Sequence, residues 1–216
     1  MKSFEAPDFY QIDELLTEDE RQVRQTIREF VSREIVPNVD NWFVKDHFPK
    51  HLIPELGVLG VFGPTIEGYG CAGLNSTSYG LIMQELERGD SGLRSFVSVQ
   101  SSLCMHPIHA YGTEEQKKKY LPKMATGELI GCFGLTEPDH GSDPSSMQTR
   151  AVRDGDDWVV NGSKRWITNA GIADLAIGNI GSESFIVFGD GKKYSGTFSL
   201  SENNAGGRFT GHIHFA

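Results

Sequence analysis

At Glu128 the apolar residues of this chain change their period. Upstream they recur every three or four positions, the spacing that lines one stripe of a helix; downstream they come in short runs broken by glycine and aspartate, the pattern of strands. A helix hides a stripe and a strand hides alternate residues, so neither element satisfies the other's periodicity. The switch predicts a helical portion over 1–128 and a β portion over 129–216.

Within the helical portion, residues 17–36 form an amphipathic helix with Val23, Ile27, Phe30, Val31 and Ile35 on one face. Thr17 and Glu20 make a capping box at its start, and Pro37 ends it. A short helical stretch over 49–59 runs into a glycine-rich passage, 57–73, expected to be a loop. Residues 76–88 are helical, and 91–111 form a buried helix kinked or broken near Pro107. Thr113 and Gln116 open a further capped helix, interrupted near Pro122 and stopped by Gly127. Strands are expected over 130–136, 149–153, 158–161, 164–168, 184–188, 194–200 and 208–215. Hairpin turns are expected at 154–157 and at Asn161-Gly162.

Charge and composition exclude several classes of function. A net charge of −9 with no basic face argues against nucleic acid, and the lysines at 117–119 sit beside Glu114 and Glu115 as a solvated helix surface. No apolar run approaches a membrane span. The first twenty residues set seven carboxylates against Lys2, unlike a signal or transit peptide, and three scattered cysteines (Cys71, Cys104, Cys132) form neither a disulfide framework nor a zinc site, so a reducing cytoplasm is expected. His106 with His109, and His212 with His214, lack a third ligand at suitable spacing, and no metal is assigned.

The chemistry concentrates in two segments. The first is Phe133-Gly134-Leu135-Thr136-Glu137-Pro138-Asp139-His140-Gly141-Ser142-Asp143; the second is Lys164-Arg165-Trp166-Ile167-Thr168-Asn169. Taken singly, each hydroxyl or aromatic there has an ordinary reading as a turn or packing residue. Together they resemble the flavin-binding signature of the acyl-CoA dehydrogenases. That resemblance implies an all-α amino-terminal domain followed by an antiparallel, barrel-like β domain. It also implies bound FAD, with Phe133, Leu135, Thr136, Gly141, Ser142, Trp166, Ile167 and Thr168 at the cofactor. A flavin is a flat ring with a polar pyrimidine edge, which calls for an apolar wall and hydroxyl or N–H donors. In the family pattern Thr136 bonds that edge, Trp166 flanks the ring, Thr168 donates toward the nitrogen that accepts hydride, and Ser142 lies by the flavin or CoA phosphates. Glu137, a carboxylate before proline in a turn, is read as structural.

A second block, Gln84-Glu85-Leu86-Glu87-Arg88-Gly89-Asp90-Ser91-Gly92-Leu93-Arg94-Ser95 and Ser98-Val99-Gln100-Ser101-Ser102-Leu103-Cys104-Met105-His106-Pro107-Ile108, with Gly141-Ser142-Asp143-Pro144-Ser145-Ser146-Met147, is most similar to the glutaryl-CoA dehydrogenases. So are Gly63-Pro64-Thr65-Ile66 and Gly68-Tyr69-Gly70-Cys71-Ala72-Gly73. A dicarboxylic acyl chain needs a cation at the far end of its pocket, because a buried carboxylate without a partner is costly. Arg94 meets that need, with Ser95, Ser98 and Ser142 as hydroxyl donors and Glu87 holding the guanidinium; alone, Arg94 with Glu87 would read as a surface ion pair.

The likeness runs over about 15–174, and the β portion is expected to be incomplete after 175. No catalytic residue is assigned. In the family the base is a glutamate on a carboxy-terminal helical bundle that also contributes to oligomerisation, and the resemblance implies a chain lacking that bundle. Two functions follow. One is FAD-dependent oxidation of an acyl-CoA, most like oxidative decarboxylation of glutaryl-CoA to crotonyl-CoA, with an electron-transfer flavoprotein as acceptor. The other is a noncatalytic flavin- or acyl-CoA-binding module.

Overall fold

The computed structural model describes residues 9–154, 157–180, 184–188 and 198–199. Among them run helices α1 (Glu18–Phe30), α2 (Val39–Val44), α3 (Ile53–Val58), α4 (Ser76–Gly89), α5 (Ser91–Ser98), α6 (His106–Tyr111) and α7 (Glu114–Ala125). Strands β1 (Gly131–Gly134), β2 (Arg150–Asp154), β3 (Asp157–Ser163), β4 (Leu175–Ile180), β5 (Ser184–Phe188) and β6 (Phe198–Ser199) follow. Two compact units form: Met1–Phe48 with Leu74–Arg94, and Pro49–Gly73 with Ser95–Ala216.

The first unit is built on α1 and α4. Thr17 and Glu20 close the expected capping box, with the Thr17 N–H donating to Glu20 Oε2 at 2.8 Å and the Glu20 N–H to Thr17 Oγ1 at 3.3 Å. Asn75 caps α4 by accepting from the Ser78 N–H, and its amide donates to Glu20 Oε1, so one carboxylate serves both helix starts. Ile27, Phe30, Val31, Ile35, Ile82 and Leu86 are buried. Gly89 permits the close approach here, since a Cβ would lie 2.6 Å from Val31 Cγ1. Glu85 is 1% exposed and is gripped by Arg28 Nη2 at 2.6 Å and Arg88 Nε at 2.8 Å. Burial pushes its carboxyl pKa up, but the two guanidinium groups outweigh this and hold it below its ordinary value.

Two of the three prolines singled out in the sequence, Pro37 and Pro107, sit just after a widened turn. The helix ending at Pro37 runs as a π stretch over Val31–Ile35, with Val36 N–H donating to Val31 O. The expected break near Pro107 is likewise a π stretch, Val99–Met105, joined on to α6. Proline has no N–H to donate and its ring crowds the carbonyl four residues back, and a wider turn relieves that crowding. Pro122 does not interrupt its helix, contrary to expectation: α7 is continuous, and Lys118, whose carbonyl loses its partner, is an exposed residue.

In the second unit the buried Gln100 side chain donates to the carbonyls of Met124 and Leu129 and accepts from the Gly131 N–H, tying the π stretch to the end of α7 and to β1. The strands make two three-stranded sheets, β1-β4-β5 and β2-β3-β6. Helices followed by strands is the expected order. The sheets are mixed where antiparallel ones were expected: β4–β5 and β2–β3 are antiparallel, but β1–β4 and β3–β6 are parallel. β1 and β4 are far apart in sequence, and a long connection permits parallel pairing where a tight turn cannot. Asp154 pairs with Asp157, as the first hairpin signal predicts.

Two β expectations fail. Asn161-Gly162 is not a turn but lies inside β3, where Asn161 pairs with Arg150. Its glycine is required for packing, since a Cβ at Gly162 would stand 2.1 Å from Thr149 Oγ1. Residues 164–168 are not a strand, because Trp166 has φ +58°, which no strand accommodates. The expected strand over 208–215, and most of that over 194–200, lie outside the described residues.

What holds this irregular region is a buried ion pair. Lys164 Nζ lies 2.8 Å from Glu137 Oε1 with side-chain exposures of 0% and 4%. Nζ also donates to Leu135 O at 3.0 Å, and the Gln148 and Thr149 N–H groups donate to Glu137 Oε2 and Oε1. Burial raises the Glu137 pKa, but Lys164 and the two amides more than offset it and bring it down to about 2. Glu137→Gln is therefore expected to cost about 3–5 kcal/mol in urea unfolding at neutral pH, because it strands a buried ammonium. The pair's contribution is whole above the ordinary carboxyl pKa of 4.5; it declines as pH falls from there toward about 2, where only the unfolded chain first takes up the proton. The urea midpoint of the natural chain should fall across that window, and that of Glu137→Gln should fall less steeply. Gly162→Ala should cost about 1–3 kcal/mol or more in the same assay, by forcing β2 off β3.

Candidate functional site

The first motif segment begins on β1 and leaves it as a turn. Phe133 is half-buried on the strand, paired with Ile177 of β4. Leu135 and Thr136 follow it, both half-buried and both fixed through their carbonyls: Leu135 O accepts from Lys164 Nζ and Thr136 O from the Arg165 N–H at 2.9 Å. Glu137 and His140 exchange two main-chain hydrogen bonds and close the turn. Gly141 and Ser142 come next, both exposed, with no atom within 4 Å of where a Gly141 Cβ would sit. Asp143 then accepts from the hydroxyls of Ser145 and Ser146, which hold its carboxyl below the ordinary range and fix the following turn.

The second segment divides its residues between inside and outside. Lys164, Ile167 and Asn169 are buried. Ile167 packs with Cys132, Val160 and Ala170, so its side chain belongs to the core and only its main chain can face a ligand. Trp166 is 56% exposed and Thr168 is exposed. The Arg165 guanidinium stacks on the indole, 4.1 Å from the ring centroid. Asn169, at φ +72°, sends its amide to Phe96 O and Gly131 O. The structure therefore joins the two segments through the main chain at 135–136 and the Lys164–Arg165 pair. Trp166 and Thr168 lie exposed just after that junction, and Thr136 is half-buried within it.

The proposed acyl-end residues sit where α4 turns into α5. Asp90 ends α4 in extended geometry, and its carboxylate accepts from the Leu93 N–H, which starts α5 and sets its direction. Arg94 on its first turn donates through Nε to Glu87 Oε2 at 2.6 Å, while Ser91 Oγ donates to the other Glu87 oxygen. Those contacts hold the Glu87 pKa below its ordinary value. The two terminal amino groups of Arg94, a residue with a 35% exposed side chain, bond to no described residue. Ser95 and Ser98, both half-buried, follow on the same helix within the second unit. The histidine pair His106 and His109 lies on α6, where His109 packs edge-on to Tyr69 at 6.0 Å; His212 and His214 lie outside the described residues.

Lys164 and Asn169 stand within the motif, but local sequence assigns neither a role. The available signal is a lysine and an asparagine bracketing the apolar Ile167, polar residues that act as anchors when they find buried partners.

Comparison with known proteins bears on the family and the fold. The family profile "Acyl-CoA dehydrogenase, N-terminal domain" matches residues 17–128, and "Acyl-CoA dehydrogenase, middle domain" matches 132–189. A glutaryl-CoA dehydrogenase of Desulfococcus multivorans is 40% identical over 166 residues, 75% of this chain and 43% of that protein. A short-chain-specific acyl-CoA dehydrogenase of Clostridium acetobutylicum is 39% identical, over 86% of this chain and 47% of its own length. The solved glutaryl-CoA dehydrogenase of Mycobacterium smegmatis in complex with FADH2 is 52% identical with a TM-score of 0.80, covering 84% of this chain and 47% of that one. The chain thus spans a little under half the length of these relatives. Helices then strands, two paired motifs and a profile match over both portions lead to one statement: this chain belongs to the acyl-CoA dehydrogenase family.

Proposed function

We propose that the chain contributes the flavin and acyl-end half-sites of an FAD-dependent acyl-CoA dehydrogenase, most like one acting on glutaryl-CoA. The observation that carries this is the junction of the two motif segments, with Arg165 N–H on Thr136 O and Lys164 Nζ on Leu135 O, beside the exposed Trp166 and Thr168. When bound, FAD accepts the hydride that leaves the acyl chain. Phe133, Leu135 and Trp166 would wall the ring, and Thr136 and Thr168 would direct hydroxyls to its polar edge. Gly141 and Ser142 would stand near the phosphates. Electrons would pass on to an electron-transfer flavoprotein, as the family implies.

Arg94 would receive the distal carboxylate. Glu87 holds its Nε, which leaves the two terminal amino groups as a fork for a bidentate partner. Oxidation of such an acyl chain with loss of its carboxylate gives crotonyl-CoA. None of the motif carboxylates is assigned as proton acceptor. Glu137, held near a pKa of about 2 by Lys164, is too weak a base for that task at neutral pH.

The purified chain is expected to take up FAD and turn yellow, with Trp166→Ala weakening binding about tenfold or more; loss of a ring contact of that size costs more than 1 kcal/mol. A chain that stays colourless in excess FAD sinks the flavin assignment. For the acyl end, Arg94→Ala should reduce glutaryl-CoA affinity of the flavin-loaded chain about 10- to 100-fold, as loss of charge-assisted hydrogen bonds predicts. Butyryl-CoA affinity should hardly change. Calorimetric titration with both ligands decides it, and an equal loss for the two would remove Arg94 from the specificity role.

A further inference from the structure

We infer that Asn169 and Lys164 are positioning residues, two buried side chains that pin the ends of the 164–169 loop in the one shape that presents Trp166 and Thr168; the inference rests on the flavin site proposed above. The loop does not hold that shape by its own preference. Trp166 at φ +58° and Asn169 at φ +72° both lie in the left-handed region. Asparagine enters it readily, but a bulky aromatic there is a conformational outlier. Such strain persists only where the surroundings over-determine the backbone. Trp166 cannot supply that itself, being more than half exposed and packed on the neighbouring Arg165.

The determination comes from the flanks. At one end Lys164 reaches Glu137 Oε1, Leu135 O and the Met147 sulfur, the last at 3.7 Å, and the next residue's N–H bonds Thr136 O. At the other end the Asn169 amide donates to Phe96 O on α5 at 3.3 Å and to Gly131 O on β1 at 3.1 Å. Two carbonyls on separate elements fix both the place and the tilt of one planar amide. Between the anchors, Ile167 is buried in the strand core. With both ends and the centre fixed inward, the alternating residues Trp166 and Thr168 are held outward. A ligand that meets them does not have to order them, which is the gain from preorganisation.

Asn169→Gly removes the anchoring amide at a φ of +72° that glycine adopts without steric penalty, and Asn169→Ser separates that loss from the backbone freedom glycine adds. Hydrogen exchange of the cofactor-free full chain, followed by mass spectrometry, should show the 165–168 amides exchanging about tenfold faster, with the β2–β3 hairpin unchanged. FAD affinity, read from quenching of flavin fluorescence, should fall about tenfold. Lys164→Met paired with Glu137→Gln, which removes both charges and strands neither, should loosen the same amides from the other end. Asn169→Ser keeps one donor and should fall between natural chain and glycine variant, which provides the measurement should the glycine variant fold poorly. Exchange and affinity both unchanged in Asn169→Gly, or a uniform rise across the whole chain in both the glycine and serine variants, would overturn the positioning role. Faster loop exchange in a protein whose natural form binds no FAD would instead keep the anchoring and overturn the flavin reading alone.

Discussion

An ammonium group with no contact with water must find its charge partner inside the protein, and in this chain that requirement organises the irregular part of the second unit. Lys164 can be buried only because Glu137 meets it, and Glu137 can be ionised there only because two amides from 148–149 donate to it as well. The three stretches so joined, 135–137, 147–149 and 164, are neighbours in no strand pairing. Regular sheet hydrogen bonds would have joined them at any register consistent with their hydrophobic pattern. A point-to-point ion pair permits one arrangement, which is why two motifs separated in sequence meet at defined atoms.

The first unit uses a different balance. Glu85 is as deeply buried as Glu137, but its partners Arg28 and Arg88 are each partly exposed, so two cations share one carboxylate while their outer faces stay hydrated. Long side chains that reach inward from the surface make this affordable in solvation terms. Arg94 and Glu87 lie farther out, and their ion pair uses one nitrogen of the guanidinium. A pair that is incomplete and accessible adds little to stability. It does fix the orientation of the planar guanidinium on Glu87.

Helix irregularities and backbone strain follow a common logic. Each π stretch precedes a proline, and of the two positive-φ residues of the 164–169 loop, Trp166 sits between buried anchors and Asn169 is one of them. In both cases a local cost is tolerated because neighbouring packing offsets it. Gly131, Gly162 and Gly89 serve the same end by absence: each lets another element come nearer than any side chain would allow.

The order of helices and strands, both capping boxes, the 154–157 hairpin and the family resemblance were legible in the residues, because each depends on near neighbours: a period, a box of four, a turn, a motif. Motif membership was likewise legible for Thr136, Trp166 and Thr168. What tertiary structure alone decided was everything that depends on a partner far along the chain. Asn161-Gly162 reads as a turn until Thr149 is seen to need the space of a missing Cβ, and 164–168 reads as a strand until Lys164 is drawn inward by an acid 27 residues earlier. The parallel pairing of β1 with β4 and the duties of Gln100 and Asn169 have the same origin. Local preference is written in consecutive side chains, whereas the partner that a buried polar group must find is set by which distant segment folds against it.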